Sequence, residues 1–333
     1  MANPQKLRAV LSVLGDHDEP LNSRVITRLL LDAGQRFSER TVRLYLKEAD
    51  EQGLTESFGR KGRVLTEAGH DELRISQVLR RVGYLSAMID RMTYQMTFDL
   101  HTRSGTVVVN TSIVDADDLA RHAEEICRVF QKGYAMGKLL AILAPGERIG
   151  KIVVPNGKRG FCTICSVTLN GVLLKHGVPV TSRFGGLIEY HDGAPTRFTE
   201  MIHYDGTSID PLEVFIRSGM TNYRSAIADG NGRIGASFRE VPCDARSLTL
   251  QLADRLKDIG MGAVLAVGLP GQPVLEVPVP TERVGLVVVG GLNPIAILEE
   301  SGQRVFSRAL SGQMEYNRLR HYTDLPNMLA AVE

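Results

Sequence analysis

Between residues 38 and 66 the sequence reads SERTVRLYLKEADEQGLTESFGRKGRVLT, a helical pattern that runs into a basic, glycine-bounded hairpin. Few folds accept that order. Ser38 offers an N-cap, Val42, Leu44, Tyr45, Leu46 and Ala49 are expected to face inward, and Gly53 ends the helix. Leu54–Ser57 and Val64–Thr66 flank the turn Gly59-Arg60-Lys61-Gly62-Arg63, which predicts a short hairpin followed by a helix from about Glu67. Two helical stripes precede it. Leu7, Val10, Leu11 and Leu14 share one face with Gly15 as the stop; Val25, Ile26, Leu29 and Leu30 form the second, behind Asn22 or Ser23 as cap and with Gly34 closing it. Three helices and a hairpin in this order predict a winged helix-turn-helix over residues 1–80.

In that fold the third helix enters the major groove. Helical spacing sets Arg40, Arg43 and Lys47 along one exposed side, opposite Val42, Leu46 and Ala49. An arginine fork matches guanine, at about 1–3 kcal/mol of discrimination per good pair. Ser38 and Thr41 stand at the helix start, and Arg60, Lys61 and Arg63 form a tip suited to phosphates or a minor groove. The expected partner is therefore double-stranded DNA, contacted by Ser38, Arg40, Thr41, Arg43, Lys47, Arg60, Lys61 and Arg63. The competing readings are a solvated charged face on a protein–protein module and an RNA-binding module. A net charge of +1 decides nothing here, because one local basic face suffices.

A chain of 333 residues has room for two domains, and 43% hydrophobic with 23% charged residues is ordinary globular composition. Nothing approaches the roughly 20 apolar residues of a membrane helix, and the first residues lack a signal-peptide pattern, so a cytoplasmic protein without a membrane partner is expected. Four cysteines are too scattered for a disulfide framework. Cys162-Thr163-Ile164-Cys165 is a lone C-x-x-C without the matching ligand pair a zinc site needs. Buried thiols are its first reading, a redox or effector-linked pair its second. With no metal site, no Ser–His–Asp arrangement and no paired catalytic carboxylates in the pattern, a sensor without a cofactor is expected rather than an enzyme.

From about residue 81 the character changes. Tyr94–Leu100 and Thr106–Ile113 read as paired strands across Ser104-Gly105, Asp115 to Gly137 reads as a helix, and β-branched runs recur at 152–154 and 286–289. The fold class is α+β: a winged helix-turn-helix, then a larger α/β regulatory domain over 81–333. VTLNGVLLKHG at 167–177 is similar in register to SLTLQLADRLKDIG at 247–260, with Asp210-Pro211 and Asn293-Pro294 at matching distances beyond, which predicts an internal pseudo-twofold duplication.

Three turns offer an anion what it needs. Thr181-Ser182-Arg183-Phe184-Gly185-Gly186 supplies hydroxyls, a cationic fork and close backbone N–H groups; Tyr204-Asp205-Gly206-Thr207-Ser208 supplies a second polar turn; Asn156–Gly160 is a third. Each also reads as a tight turn with a solvated charge.

The strings CSVTLNGVLLKHGVPVTSRFGGLIEY at 165–190, RFTEMIHYDGTSIDPLEVFI at 197–216 and IGASFREVP at 234–242 resemble the regulatory domain of the NrpR family of nitrogen regulators. The N-terminal module resembles the ribonuclease-R-type winged helix. The resemblance implies a homodimeric repressor of nitrogen-metabolism genes that reads an inverted-repeat operator and is released by a small dicarboxylate effector, 2-oxoglutarate. The first two polar turns, with Cys165 from the first of these strings, give the candidate effector-binding set Cys165, Ser182, Arg183, Phe184, Gly185, Gly186, Thr207 and Ser208. One regulatory domain stands here where many members of the family carry two. The alternative is a small-molecule-metabolising enzyme with an appended DNA-binding domain.

Overall fold

The computed structural model describes residues 4–17, 19–70, 73 and 84–330. Contacts divide the chain into two units, Met1–Val82 and Gly83–Glu333. In the first, α1 (Pro4–Gly15), α2 (Ser23–Asp32) and α3 (Glu39–Glu51) precede the antiparallel pair β1 (Thr55–Ser57) and β2 (Arg63–Leu65). Asn22 accepts the amides of Arg24 and Val25, and Ser38 accepts that of Thr41, so both expected caps close their helices. Val10, Leu11, Leu14, Ile26, Leu30, Val42, Leu46 and Ala49 form the core. Gly62, at φ 124°, lets the hairpin pass Leu21: a Cβ there would lie 2.2 Å from the Leu21 carbonyl. Leu21 and Arg63 exchange both backbone hydrogen bonds at 3.0 Å. Residues 67–70 are helical as expected, and most of the remainder of that expected helix lies outside the described residues. Leu44 departs from expectation. It stands 61% exposed, because it shares the outward arc of α3 with Arg40 and Lys47 while Val42, Tyr45, Leu46 and Ala49 fill the inward one.

The second unit opens with α4 (Tyr84–Gln95), which takes the first two residues of the strand expected at 94–100, and residues 96–98 form no ladder. Leu85, Ile89, Met92 and Met96 recur at helical spacing and are all buried. The hairpin is reduced to a bridge between Asp99 and Ser104 and a hydrogen bond from the Phe98 amide to the Thr106 carbonyl. The long helix expected after Asp115 is broken at His122 into α5 (Ala116–Arg121) and α6 (Ala123–Gln131).

Two five-stranded antiparallel sheets organise the rest of this unit. The strands are β3 (Thr106–Asp115), β4 (Leu139–Leu143), β5 (Arg148–Ile149), β6 (Ile152–Val153), β7 (Lys158–Ile164), β8 (Thr181–His191), β9 (Ala194–His203), β10 (Gly232–Pro242), β11 (Val264–Val267), β12 (Arg283–Val289), β13 (Phe306–Glu315) and β14 (Arg320–His321). One sheet runs β13-β3-β7-β4-β14 and the other β11-β12-β10-β8-β9. The series β4-β7-β3-β13 therefore repeats as β11-β12-β10-β8. Each half sends its last strand to the other: the chain leaves β7 in the first sheet for β8 in the second, and leaves β12 in the second for β13 in the first. The registers agree, since Val109 pairs with Ile164 at the end of β7 as Ala236 pairs with Val289 at the end of β12.

The duplication is present, but its register is not the one the sequence strings indicate. Helix α7 (Val167–Lys175) lies on the crossover out of β7, whereas the helix at Arg246–Asp258 follows β10 and returns to its own sheet. The counterpart of the latter is α5–α6, between β3 and β4. Likewise Asp210 caps α8 (Pro211–Arg217) beyond β9, while Asn293 opens the crossover from β12. Similar burial demands on two helices produced a likeness that the topology does not share.

Where the two crossovers begin, the halves touch. Within each half an equivalent bond marks the start of the crossover, Cys165 donating its amide to Val108 and Gly290 to Gly235, each at 2.9 Å. A Cβ on Gly291 would stand 2.2 Å from the Ile164 carbonyl and 2.4 Å from the Asn110 amide nitrogen. Gly291→Ala is expected to destabilise the protein by about 1–3 kcal/mol, the usual penalty for overpacking, measured by urea unfolding. An unchanged midpoint would contradict so close an approach.

Candidate functional site

The outward face of α3 presents Arg40, Arg43 and Lys47, all exposed. Arg43 is held in place: its guanidinium pairs with Glu39 and its Nε donates to Ser23 Oγ at 3.2 Å. Those hydrogen bonds from Ser23 and Arg43 hold the Glu39 carboxyl below its ordinary range. Lys47 stands 3.7 Å from Glu51. Ser38 and Thr41 are engaged with each other at 2.7 Å as the helix cap. At the hairpin tip Arg60 and Lys61 are exposed in a 3₁₀ turn. Arg63 is placed differently, for its Nε reaches both Asp50 oxygens at 3.0 and 2.8 Å, with Nη2 2.8 Å from Oδ2. Arg63 thus ties the hairpin to α3, and the open cations of the turn are Arg60 and Lys61.

The second site lies where the halves of the larger unit meet. Arg239 of β10 is 1% exposed. Its Nε donates to Asn170 Oδ1 at 2.6 Å, Nη1 to Ser237 Oγ at 2.6 Å and Nη2 to Ser166 Oγ at 2.9 Å. All three acceptors are neutral, and among the described residues no carboxylate makes a salt bridge to this guanidinium. Burial pushes its pKa down, the direction expected for a desolvated cation. Beside it a cavity of about 20 Å³ is lined by Asn110, Cys165, Ser166, Tyr204, Asp210 and Ser237, with Gly291 on its wall. Such a volume holds about one water.

The acids near this chamber are protonated more readily than usual. Burial pushes the Asp210 carboxyl up to about 6, against the amides of Leu212 and Glu213 and the nearby Arg239 charge, all of which favour its charged form. Burial also pushes Glu213 up to about 7, although it accepts the Ala309 amide at 2.6 Å and lies 3.6 Å from Arg308. The Cys165 thiol is pushed up to about 12 and Cys162 to about 11, again by burial, so both are protonated at neutral pH and poor nucleophiles. Among the described residues no group of His, Cys, Asp and Glu is placed to hold a metal ion.

Asp210 and Ala309 also border a second space, a groove of about 470 Å³ lined by Met88, Arg91, Lys151, Glu213, Arg308 and Leu310 among others. Between chamber and groove β13 bulges over Arg308–Gly312. Leu310 is buried there in the left-handed region at φ 51°. Side chains take the amides that leave the ladder: Asn110 Oδ1 accepts from Leu310 at 3.2 Å, and Glu213 from Ala309.

The structure brings only part of the expected effector set to this place. Cys165 lines the chamber. Ser182 reaches it at one remove, accepting from Asn170 Nδ2 at 2.9 Å. A Cβ on Gly185 would stand 2.9 Å from Pro211 and 3.2 Å from the Tyr204 hydroxyl, so that glycine permits packing behind the chamber. Gly186 serves the other neighbour, where a Cβ would meet the Glu200 carbonyl at 2.4 Å. Phe184 stacks on Phe238 at 5.2 Å, away from the chamber. Arg183 is half exposed and lies 3.5 Å from Glu240. The reason is a bulge: the ladder steps from Phe184 opposite Phe238 to Ser182 opposite Arg239, skipping Arg183. Thr207 closes its own turn through Ile209, and Ser208 lines the groove. Lys158 of the third turn pairs with Asp115 at 2.6 Å. Sequence reasoning passed over Arg239, Asn110, Asn170, Ser237 and Asp210. Their signal was a charge or amide within an otherwise buried run, as in VVVNTS and GASFRE.

A winged helix with a cationic outward helix, joined in one chain to a larger α/β unit, is the architecture of a DNA-binding transcriptional regulator. Residues 82–321 match the family described as NrpR regulatory domains NRD1 and 2, and residues 8–73 match the ribonuclease R winged-helix domain. The chain is 33% identical over 323 residues to a global nitrogen regulator NrpRI from Methanosarcina mazei, covering 96% of this chain and 99% of that protein. It is 32% identical to a global nitrogen regulator NrpR from Methanococcus maripaludis, spanning about half (51%) of that protein's length. The structure of a nitrogen repressor-like protein from Methanococcus jannaschii superposes with a TM-score of 0.59 at 28% identity, covering 72% of this chain and 97% of that one. The chain belongs to the NrpR family of nitrogen regulators. Among the described residues no helix is long and apolar enough to cross a membrane.

The raised Glu213 carboxyl gives a pH signature. Its folded value of about 7 exceeds the ordinary 4.5, so between those values the folded chain keeps a proton that the unfolded chain has released. That contribution to stability is complete below about 4.5 and is lost as pH rises through about 7. Glu213→Gln removes it, so the Tm of the variant should gain on that of the native protein as pH rises from 5 to 8. Parallel Tm curves would contradict the raised value.

Proposed function

We propose that this regulator is a homodimeric, cytoplasmic repressor of nitrogen-metabolism genes. It binds an inverted-repeat operator through α3 and the Arg60–Lys61 turn, and it is released by a small dicarboxylate, 2-oxoglutarate. The observation that carries the effector reading is Arg239, a fully buried guanidinium whose hydrogen-bonding partners are all neutral. A desolvated cation of this kind is stabilised most by a carboxylate in bidentate contact. The chamber beside it is too small for a five-carbon acid, but the adjoining groove of about 470 Å³ is of ligand size and shares Asp210 and Ala309 with it. One effector carboxylate is therefore assigned to Arg239, with entry from the groove past the β13 bulge. Release of DNA requires that the effector bind one state of the protein better than the other. The chamber thiol is held in its protonated form, which disfavours it as a nucleophile.

Operator titrations with native protein and Arg239→Met, with and without saturating 2-oxoglutarate, test this reading. The effector should weaken native binding by about 5- to 150-fold, the span of ordinary allosteric couplings. The variant should bind the operator as the native protein does and ignore the effector. An unresponsive native protein, or a variant that responds fully, would overturn the assignment.

A further inference from the structure

Helix geometry places Arg43, Lys47, Arg40 and Leu44 within an arc of about 100° on α3, opposite the buried Val42, Tyr45, Leu46 and Ala49. From Arg40 to Lys47 the rise is about 10 Å, roughly three base-pair steps of duplex DNA. Within that span Leu44 is the one apolar side chain on the outward arc, and it is 61% exposed. A lone exposed leucine is ordinary on a protein surface. This one is placed otherwise, with cations at positions 40, 43 and 47 around it. Arg43 is already oriented, its guanidinium held by Glu39 and Ser23 of α2. Ser38 and Thr41, the other groups at the helix start, are engaged in the cap. The face thus offers an apolar contact flanked by positioned charge.

B-form DNA presents one apolar group on its major-groove edge, the 5-methyl of thymine, and apolar side chains meet it there. We infer that Leu44 reads the 5-methyl group of a thymine in each operator half-site and so sets sequence specificity at that position. The inference rests on the reading that α3 enters the major groove. Arginine and lysine on the same arc supply affinity and guanine contacts, whereas Leu44 separates thymine from the other bases without a hydrogen bond.

The test uses the full chain. A duplex is first selected from a randomised pool, and each thymine is then replaced in turn by deoxyuridine, which removes only the methyl. Native protein should lose about four-fold in affinity per half-site at one position, the worth of one buried methyl. Leu44→Ala should bind the thymine and deoxyuridine duplexes equally at that position and keep the native response at all others. Leu44→Met, which preserves an apolar side chain, should retain part of the discrimination. Leu44 lies outside the core, so native-like melting of both variants is expected. An operator bound with equal affinity in thymine and deoxyuridine forms overturns this inference alone. Discrimination that persists in Leu44→Ala does the same. Failure to enrich any duplex overturns the major-groove reading and the inference with it.

Discussion

A buried guanidinium that makes no salt bridge among the described residues, set beside a chamber for about one water, is the interaction around which the regulatory unit is arranged. Arg239 carries its charge into the interior and is held by Asn170, Ser237 and Ser166. Desolvating such a group is expensive, and neutral acceptors offset less of that cost than a carboxylate does. The surrounding architecture delivers the acceptors. Ser237 and Arg239 come from one strand of the second sheet, while Ser166 and Asn170 stand on the crossover leaving the first. Strand exchange between the halves therefore builds the chamber, and the two sheets cannot separate without exposing it.

Local irregularities decide which side chains take part. Strand alternation alone would put Phe184 and Ser182 on one face of β8. The bulge at Arg183 reverses this, sending Phe184 to the aromatic stack with Phe238 and Ser182 toward Asn170. Across the pseudo-twofold axis the bulge in β13 plays a different part. It frees the amides of Ala309 and Leu310 from the ladder and hands them to Glu213 and Asn110. The left-handed Leu310 between them is held by that arrangement. Chamber and groove meet at this element.

Reading the chain in one dimension recovered what depends on periodicity and caps. The three N-terminal helices, their Asn22 and Ser38 caps and the basic hairpin follow from local patterns, and all are present. Leu44 was misplaced because an apolar residue beside the core stripe looks like core until the arc is drawn. Arg63 looked like its neighbours Arg60 and Lys61, and only the fold brings Asp50 within 2.8 Å of it. In the larger unit the duplication was legible as a principle but not in its register, since strand exchange leaves no local signature. Glycine and arginine cluster in loops, which is where one-dimensional reading places anion sites. Arg239 sits inside a strand, where its partners come from elements as much as 73 residues away, so no local pattern marks it.

Hydrogen–deuterium exchange with and without 2-oxoglutarate tests most directly whether the effector is read at the buried arginine. Binding there should slow exchange at residues 164–167, 235–239, 290–293 and 308–312, which surround the chamber and its bulged wall. Protection confined to other segments, such as the start of β7 at 158–160 or the β8 bulge at Arg183, with these four unchanged, would contradict the account.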